Sequence, residues 1–308
     1  MKIIKSKDFN IEEKTAVGIG KFDGVHLGHI ELISSLVRQK EAGLKVVIFT
    51  FNTSATTFFT GKKVGEITTL AEKEIIFEKL GVDVLIEFPL NSETAAITPD
   101  AFIRDILVRK LNMKYVVAGE DLSFGYKGSG DAKLLESKAL EFGYEVNIIN
   151  KLKYKNRDIS STYVREEIEN GNMQEAAKLL GHPYSFAGTV ERGFKLGRTL
   201  GFPTMNLYPD EEKILPPMGV YYSKVLYDNM EYYGITNIGI RPTVADENDR
   251  HVSIETFLFD FDKDMYGQKI ITHILEFKRP EMKFESKEAL ARQVKNDILD
   301  GRKFFGLD

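Results

Sequence analysis

The hydrophobic period of this chain changes once, near Gly181-His182-Pro183, and that change limits what each half can become. Before it, short apolar runs at 15–19, 46–51, 84–86, 115–118 and 146–149 alternate with helical patterns. One helix is predicted from a Thr69 to Glu72 capping box to Gly81, and another starts at Thr98-Pro99, where proline suits a first helical turn. This βαβα order implies a parallel sheet with helices on both faces. Beyond Pro183 the runs at 186–190, 220–227, 232–240, 253–261 and 270–277 follow one another, and helical character returns only at 286–299. The second half therefore reads as a closed or nearly closed antiparallel barrel with a terminal helix. At 308 residues the chain exceeds a single ordinary core, so two domains are expected, 1–183 and 184–308.

Composition excludes several classes. Hydrophobic content of 43% and charged content of 29% are those of a soluble globular protein. A net charge of −4 gives no reason to expect nucleic acid as a partner. No secretory signal or long apolar segment is visible, Met1 to Ile4 leading straight into charged residues, so no membrane partner and a cytoplasmic location are expected. The chain has no cysteine, which removes disulfides, thiolate catalysis and Cys-based metal sites.

Residues 20–29, G-K-F-D-G-V-H-L-G-H, follow the first predicted strand and precede a helical period at 30–37. Free backbone N–H groups and the helix dipole favour negative charge at such a turn. Gly20, Gly24 and Gly28 let a phosphate approach the backbone, Phe22 and Asp23 belong to the same turn, and His26 and His29 share a helix face. Two of the five histidines thus fall within one turn, suited to stabilising charge on a nucleotide phosphate chain. A zinc site lacks a third ligand here.

Two later segments are expected to complete this site. Residues 119–125 form a glycine-rich stretch after a predicted strand, equally readable as a surface loop. Ser160, Ser161 and Thr162 place hydroxyls at a helix start, with Arg165 one turn inside to hold phosphates from the other side. The alternating Lys151, Lys153, Lys155 and Arg157 read as the solvated face of an edge strand.

In the second half, residues 188–204 space glycines along a loop, Gly193 and Gly197 among them, where a phosphate could lie close to the backbone. Thr204 and Asn206 offer the oxygen ligands that magnesium prefers. Glu255 is a carboxylate inside an apolar strand; it marks either an exposed strand face or a group pointing into the barrel mouth, where it could take a proton from a hydroxyl. Residues 237–243, N-I-G-I-R-P-T, read as a rigid turn. His182, His251 and His273 have no paired partners and are assigned no chemistry.

Taken together, these motifs resemble the bacterial bifunctional riboflavin kinase/FAD synthetase family over nearly the whole chain. G-x-F-D-G-x-H-x-G-H is matched by Gly20, Phe22, Asp23, Gly24, His26, Gly28 and His29, and S-S-T-x-[IV]-R by Ser160, Ser161, Thr162, Val164 and Arg165. G-F-P-T-M-N resembles the family's G-x-P-T-A-N, with Met205 in place of alanine; 237–243, Glu255 and the D-M-Y-G at 264–267 occupy further family motifs.

The resemblance implies a Rossmann-like nucleotidyltransferase domain followed by a riboflavin-kinase-like barrel. It also implies two ATP-dependent reactions. In the second domain Glu255 would activate the ribityl hydroxyl of riboflavin while Thr204 and Asn206 help bind magnesium and ATP, giving FMN. In the first, FMN would attack the α-phosphorus of a second ATP to give FAD, with His26, His29 and Arg165 stabilising negative charge. The family's T-F-x-P-H-P-like segment is replaced here by residues 50–55, T-F-N-T-S-A, so flavin placement or preference is expected to differ. The alternative is a riboflavin kinase whose nucleotidyltransferase domain is weak, redox-selective or altered in substrate.

Overall fold

The computed structural model describes residues 1–192, 201–242 and 250–307. The chain divides into two compact units, Met1–Ser161 and Thr162–Asp308.

The first unit is built on six parallel strands: β1 (Lys2–Ile4), β2 (Thr15–Ile19), β3 (Lys45–Phe51), β4 (Val84–Phe88), β5 (Met113–Gly119) and β6 (Glu145–Ile149). They lie in the order β1-β4-β3-β2-β5-β6, every pair parallel. Strands buried on both faces need apolar residues in both parities, which is why 15–19 and 46–49 are continuous apolar runs. One parity (Ala16, Ile48, Leu85, Val117) packs under α1 (Leu27–Arg38), with Phe77 above it. The other (Val17, Val47, Phe49, Ile86, Val116) packs under a helix that starts at Pro99 and continues as a π-helix over Phe102–Lys110. Gly18 sets the closeness of β2 to α1: a Cβ there would lie 2.7 Å from Leu36 and 2.9 Å from Leu32.

Between β3 and β4 come α2 (Ala55–Thr60) and α3 (Leu70–Lys79), the latter held by the expected capping box, Thr69 with Glu72. A further helix, α4 (Ala132–Phe142), precedes β6. The sequence reading passed over β1, whose two lysine-flanked isoleucines are too short a pattern to stand out; it forms because β4 offers an open parallel edge. The predicted basic edge strand is instead a tight hairpin, Lys153–Tyr154 against Arg157–Asp158, turned by Lys155 and Asn156 at φ 49° and 62°.

In the second unit α5 (Ser161–Glu169) and α6 (Met173–Leu180) lead into strands β7 (Tyr184–Thr189), β8 (Met205–Leu207), β9 (Gly219–Tyr227), β10 (Met230–Pro242), β11 (Arg250–Leu258) and β12 (Lys269–Pro280), then into α7 (Lys287–Phe304). The sheet order is β7-β12-β9-β10-β11-β8, antiparallel throughout. A bridge between Glu191 and Asn206 brings its two edges together, so the barrel is nearly closed, as predicted. One parity of its strands (Tyr221, Thr236, Ile238, Ile254, Thr256, Thr272, Ile274) is wholly buried in the interior. Three hydroxyls there satisfy one another, Thr236 bonding to Ser223 at 2.7 Å and to Thr256 at 2.8 Å, while Thr272 Oγ1 has no partner among the described residues. The opposite parity, with Val220, Ile235 and Phe257, meets Ile298 of α7.

Candidate active sites

In the first unit β2 is flanked by β3 on one side and β5 on the other, the switch point where open parallel sheets bind ligands beyond their strand ends. A cavity of about 380 Å³ lies there, lined from three strand ends: Gly20, Lys21, Phe22, His26, Gly28 and His29 after β2; Gly119, Asp121, Leu122 and Ser123 after β5; Asn150, Lys151, Ser160 and Ser161 after β6.

The turn after β2 is conformationally unusual. Phe22, Gly24 and Val25 all have positive φ (52°, 84° and 42°), costly for the β-branched Val25. What holds it is Asp23, whose buried carboxylate accepts from the Ile67 and Thr68 N–H groups at 2.8 and 3.4 Å, while Gly24 N–H donates to Thr68 Oγ1 at 2.9 Å. Ser161 adds a bond to the Asp23 carbonyl at 2.8 Å. His26 caps α1 through its backbone carbonyl, which accepts from Ile30; the N–H groups before Ile30 have no acceptor within the helix.

The two imidazoles are stacked, ring centroids 3.8 Å apart and 17° between planes. Gly28 makes this possible, because a Cβ would meet the His26 ring at 3.2 Å. Phe22 backs His29 at 5.1 Å. Burial pushes His26 down to about 4, against the opposing pull of Asp23 and Asp121, and burial followed by the charges of His26 and Lys73 holds His29 well below its ordinary value. Both rings are therefore neutral at pH 7, and neither Nδ1 has a hydrogen-bond partner among the described residues. Such a stack can offer N–H donors to an anion without a competing bond inside the protein.

Gly20, Phe22, His26, Gly28, His29 and Ser161 thus converge as the sequence implied. Asp23 and Gly24 do not line the cavity; they set the shape of the turn. Thr162 and Arg165, on α5, belong to the second unit. Sequence reasoning missed Lys21 and Lys151 as cavity residues. Lys151 is not a mere solvated cation: it pairs with Asp121 at 3.0 Å, and that bond raises its pKa. The signal lay in its position directly after a predicted strand end.

The second cavity, about 320 Å³, lies on the outer face of the barrel sheet beside α7, not in the barrel mouth, because Glu255 has the parity opposite to the interior residues Ile254 and Thr256. Its apolar wall includes Phe202, Ile235, Phe257, Leu290 and Val294. Through it runs a lateral row in strict register across five strands: Asn206, Glu255, Asn237, Val220 and Arg279. Glu255 is 8% exposed and accepts from Ser253 Oγ at 3.0 Å. Thr204 lines the cavity, while Asn206 is buried behind it, its Nδ2 donating to the Thr204 carbonyl at 3.4 Å. Gly193, Gly197 and Thr243 lie outside the described residues.

At the far end of the row Arg279 donates to Asp297 of α7 through Nε (3.1 and 3.0 Å) and Nη2 (2.7 Å), joining sheet to helix. Gly239 has no side chain to obstruct Glu281, whose Oε1 lies 2.1 Å from where a Cβ would sit. Residues 237–242 are not a turn: β10 runs straight through them, and Asn237 sits opposite Glu255. The glycine and proline suggested a turn, but Pro242 is the last residue of the strand, where a missing N–H costs little. The D-M-Y-G motif is a true turn, with Tyr266 N–H on Asp264 and Gly267 at φ 75°.

A family model described as FAD synthetase matches residues 8–163, and one described as riboflavin kinase matches 180–305. A curated relative from Listeria monocytogenes, named bifunctional riboflavin kinase/FMN adenylyltransferase, is 37% identical over 94% of this chain and 92% of its own. The chain belongs to the bifunctional riboflavin kinase/FMN adenylyltransferase family. Its Escherichia coli relative of the same name is 36% identical over 96% of this chain and 94% of its own. A solved structure named macrolide-efflux protein from Streptococcus pneumoniae aligns with TM-score 0.82 and 31% identity, covering 96% of each chain. Among the described residues no helix is long and apolar enough to cross a membrane. Each cavity falls inside one family match, the histidine cavity in the FAD synthetase span and the Glu255 cavity in the riboflavin kinase span.

Proposed function

We propose that this chain phosphorylates riboflavin to FMN and then adenylylates FMN to FAD, consuming ATP in both steps, and that it works in the cytoplasm. The reading is supported by one correspondence: each of the two matched spans contains its own cavity, one lined by His26 and His29 and the other by Glu255. Relatives named for both activities over nearly their full length favour this reading over a kinase with an altered nucleotidyltransferase.

The kinase reaction is assigned to residues 184–308. Glu255 takes the proton of the riboflavin 5′-hydroxyl as its oxygen attacks the γ-phosphorus, and ADP leaves with the bonding electron pair. Phosphoryl transfer depends on positioning and charge neutralisation, so a few well-placed groups suffice. Thr204, which lines the cavity, and Asn206, buried behind it, carry the neutral oxygens that would hold a magnesium ion beside the ATP phosphates; the ion would neutralise phosphate charge. Gly193 and Gly197 are assigned to the ATP loop from sequence alone.

Adenylyl transfer is assigned to residues 1–183. An FMN phosphate oxygen attacks the α-phosphorus and pyrophosphate leaves. His26 and His29 donate to the charge that develops, beside the backbone N–H groups that open α1. Ser161 and Thr162 are assigned to ATP binding, and Arg165 to the pyrophosphate side, on their motif. An entering polyanion raises the proton affinity of both imidazoles, and a ring that is protonated donates more strongly than a neutral one.

The deciding experiment is Glu255→Gln, which retains size but removes the base. Single-turnover phosphorylation is expected to fall about 100-fold or more, with riboflavin and ATP affinities and FMN adenylylation little changed. A phosphorylation rate near the parent's would remove Glu255 from the mechanism.

A further inference from the structure

We propose that Asn237 is a catalytic residue of the phosphoryl transfer, its amide donating to the acceptor oxygen while Glu255 withdraws the proton; the inference rests on the kinase reading above. The lateral row identifies it. Asn237 on β10 and Glu255 on β11 are directly opposed, and both line the same cavity. Opposed residues on one sheet face have Cβ atoms roughly 4.5–5.5 Å apart, so an amide and a carboxylate in that relation can reach one hydroxyl between them.

The other members of the row cannot supply this donor. Asn206 is buried, with its amide on the Thr204 carbonyl. Val220 is apolar. Arg279 is committed to Asp297 and to the Pro280 carbonyl. Glu255 itself accepts a bond from Ser253. Asn237 has no side-chain hydrogen bond to any described residue, although its neighbours in the cavity wall are Ile235, Val220 and Phe257. Asn237 is half-buried, and its amide stays available to a hydroxyl bound in the cavity.

The chemistry requires a donor there. As the O–H bond breaks toward Glu255, negative charge grows on the acceptor oxygen. The new O–P bond then forms, the bond from γ-phosphorus to the bridging oxygen breaks, and its electron pair departs on ADP. Once Glu255 has taken the proton, its carboxyl can offer back only that one O–H; the amide N–H beside it adds a donor that serves the oxygen from the start of proton transfer.

The test uses the full-length chain, with single-turnover riboflavin phosphorylation, riboflavin and ATP affinities, and FMN adenylylation measured in one preparation. Asn237→Ala is expected to slow phosphorylation about 100-fold, the range for loss of one oxyanion donor, while adenylylation and the affinities change little. Asn237→Asp keeps the shape and adds a carboxylate opposite Glu255. It should lose activity as severely and move the acid limb of the phosphorylation profile upward by about one pH unit, since two facing carboxylates cannot both ionise easily. The other charged groups lining the cavity, Arg279, Asp297 and Glu281, are the same in both proteins. That shift reports that position 237 faces Glu255; the donor role itself is read from the rate lost in Asn237→Ala.

If Asn237→Ala does not fold, the isosteric Asn237→Asp carries the test through its rate above the shifted limb, where loss of the amide donor should leave phosphorylation about 100-fold slow. Near-parent phosphorylation in Asn237→Ala, or an unmoved acid limb in Asn237→Asp, overturns the proposal. The Glu255→Gln control separates the two readings. An inactive Glu255→Gln beside an active Asn237→Ala removes only the role of Asn237, whereas an active Glu255→Gln removes both.

Discussion

At the residue scale, the stacked histidines show how burial converts an ionisable side chain into a neutral donor. His29 has its ring between Phe22 and His26, with its Nδ1 unpaired among the described residues. His29→Ala should reduce FMN adenylylation by about 3 kcal/mol of barrier, or roughly 100-fold, with phosphorylation as the internal reference. Equal loss of both activities in a folded variant would contradict the assignment. Burial also makes stability depend on pH. His26 titrates near 4 in the folded chain, below its ordinary value of 6.5, so the unfolded chain binds a proton first as pH falls. Its contribution is therefore complete above pH 6.5 and declines toward pH 4. At pH 5 the loss is about 2 kcal/mol. Urea midpoints at pH 7.5 and pH 5 should lie farther apart for the parent than for His26→Gln; an equal separation would refute the buried neutral state.

At the scale of elements, register rather than any single residue assembles the kinase cavity. Five strands contribute one residue each to the row from Asn206 to Arg279, and α7 is fastened to its end by Arg279 and Asp297. Asp297 is 1% exposed and also receives Gln293 Nε2 at 3.0 Å. Removing one partner of a buried pair leaves the other uncompensated, which costs about 3–5 kcal/mol. Asp297→Ala should therefore destabilise the barrel and loosen α7, so that phosphorylation is lost at lower urea than adenylylation. Loss of both activities at one urea concentration, unchanged from the parent's, would show that the pair has little hold on the helix.

On the whole-molecule scale, the two compact units meet in sequence at Ser161 and Thr162, ahead of the change in hydrophobic period at Pro183. The intervening α6 buries Met173, Ala176, Leu179 and Leu180, and it packs on β12 and β7. A fragment of residues 184–308 is expected to phosphorylate riboflavin, but without that helix its sheet loses an apolar cover. At about 1.5–3 kcal/mol for each fully buried large side chain, Thr162–Asp308 should melt at a distinctly higher temperature than 184–308, with the same turnover per folded molecule. Indistinguishable melting would assign α6 no part in the barrel's stability.

Sequence alone was enough to determine the division into a parallel α/β half and an antiparallel half, because burial on two faces and burial on alternate positions leave different periods. It was also enough to locate the histidine turn, since Gly24 and Gly28 sit where backbone geometry and ring packing admit little else. What it could not determine was orientation. Glu255 and Thr256 are neighbours in the chain, yet one faces a cavity and the other the barrel interior, a difference of parity that only the closed sheet defines. Asn237, Lys151 and Asp297 are ordinary polar residues along the chain; they gain significance from partners 18 to 30 positions away, brought beside them by strand pairing and helix packing. Local chemistry could be read because it depends on neighbours in sequence. The completed sites could not, because they depend on neighbours that only tertiary structure supplies.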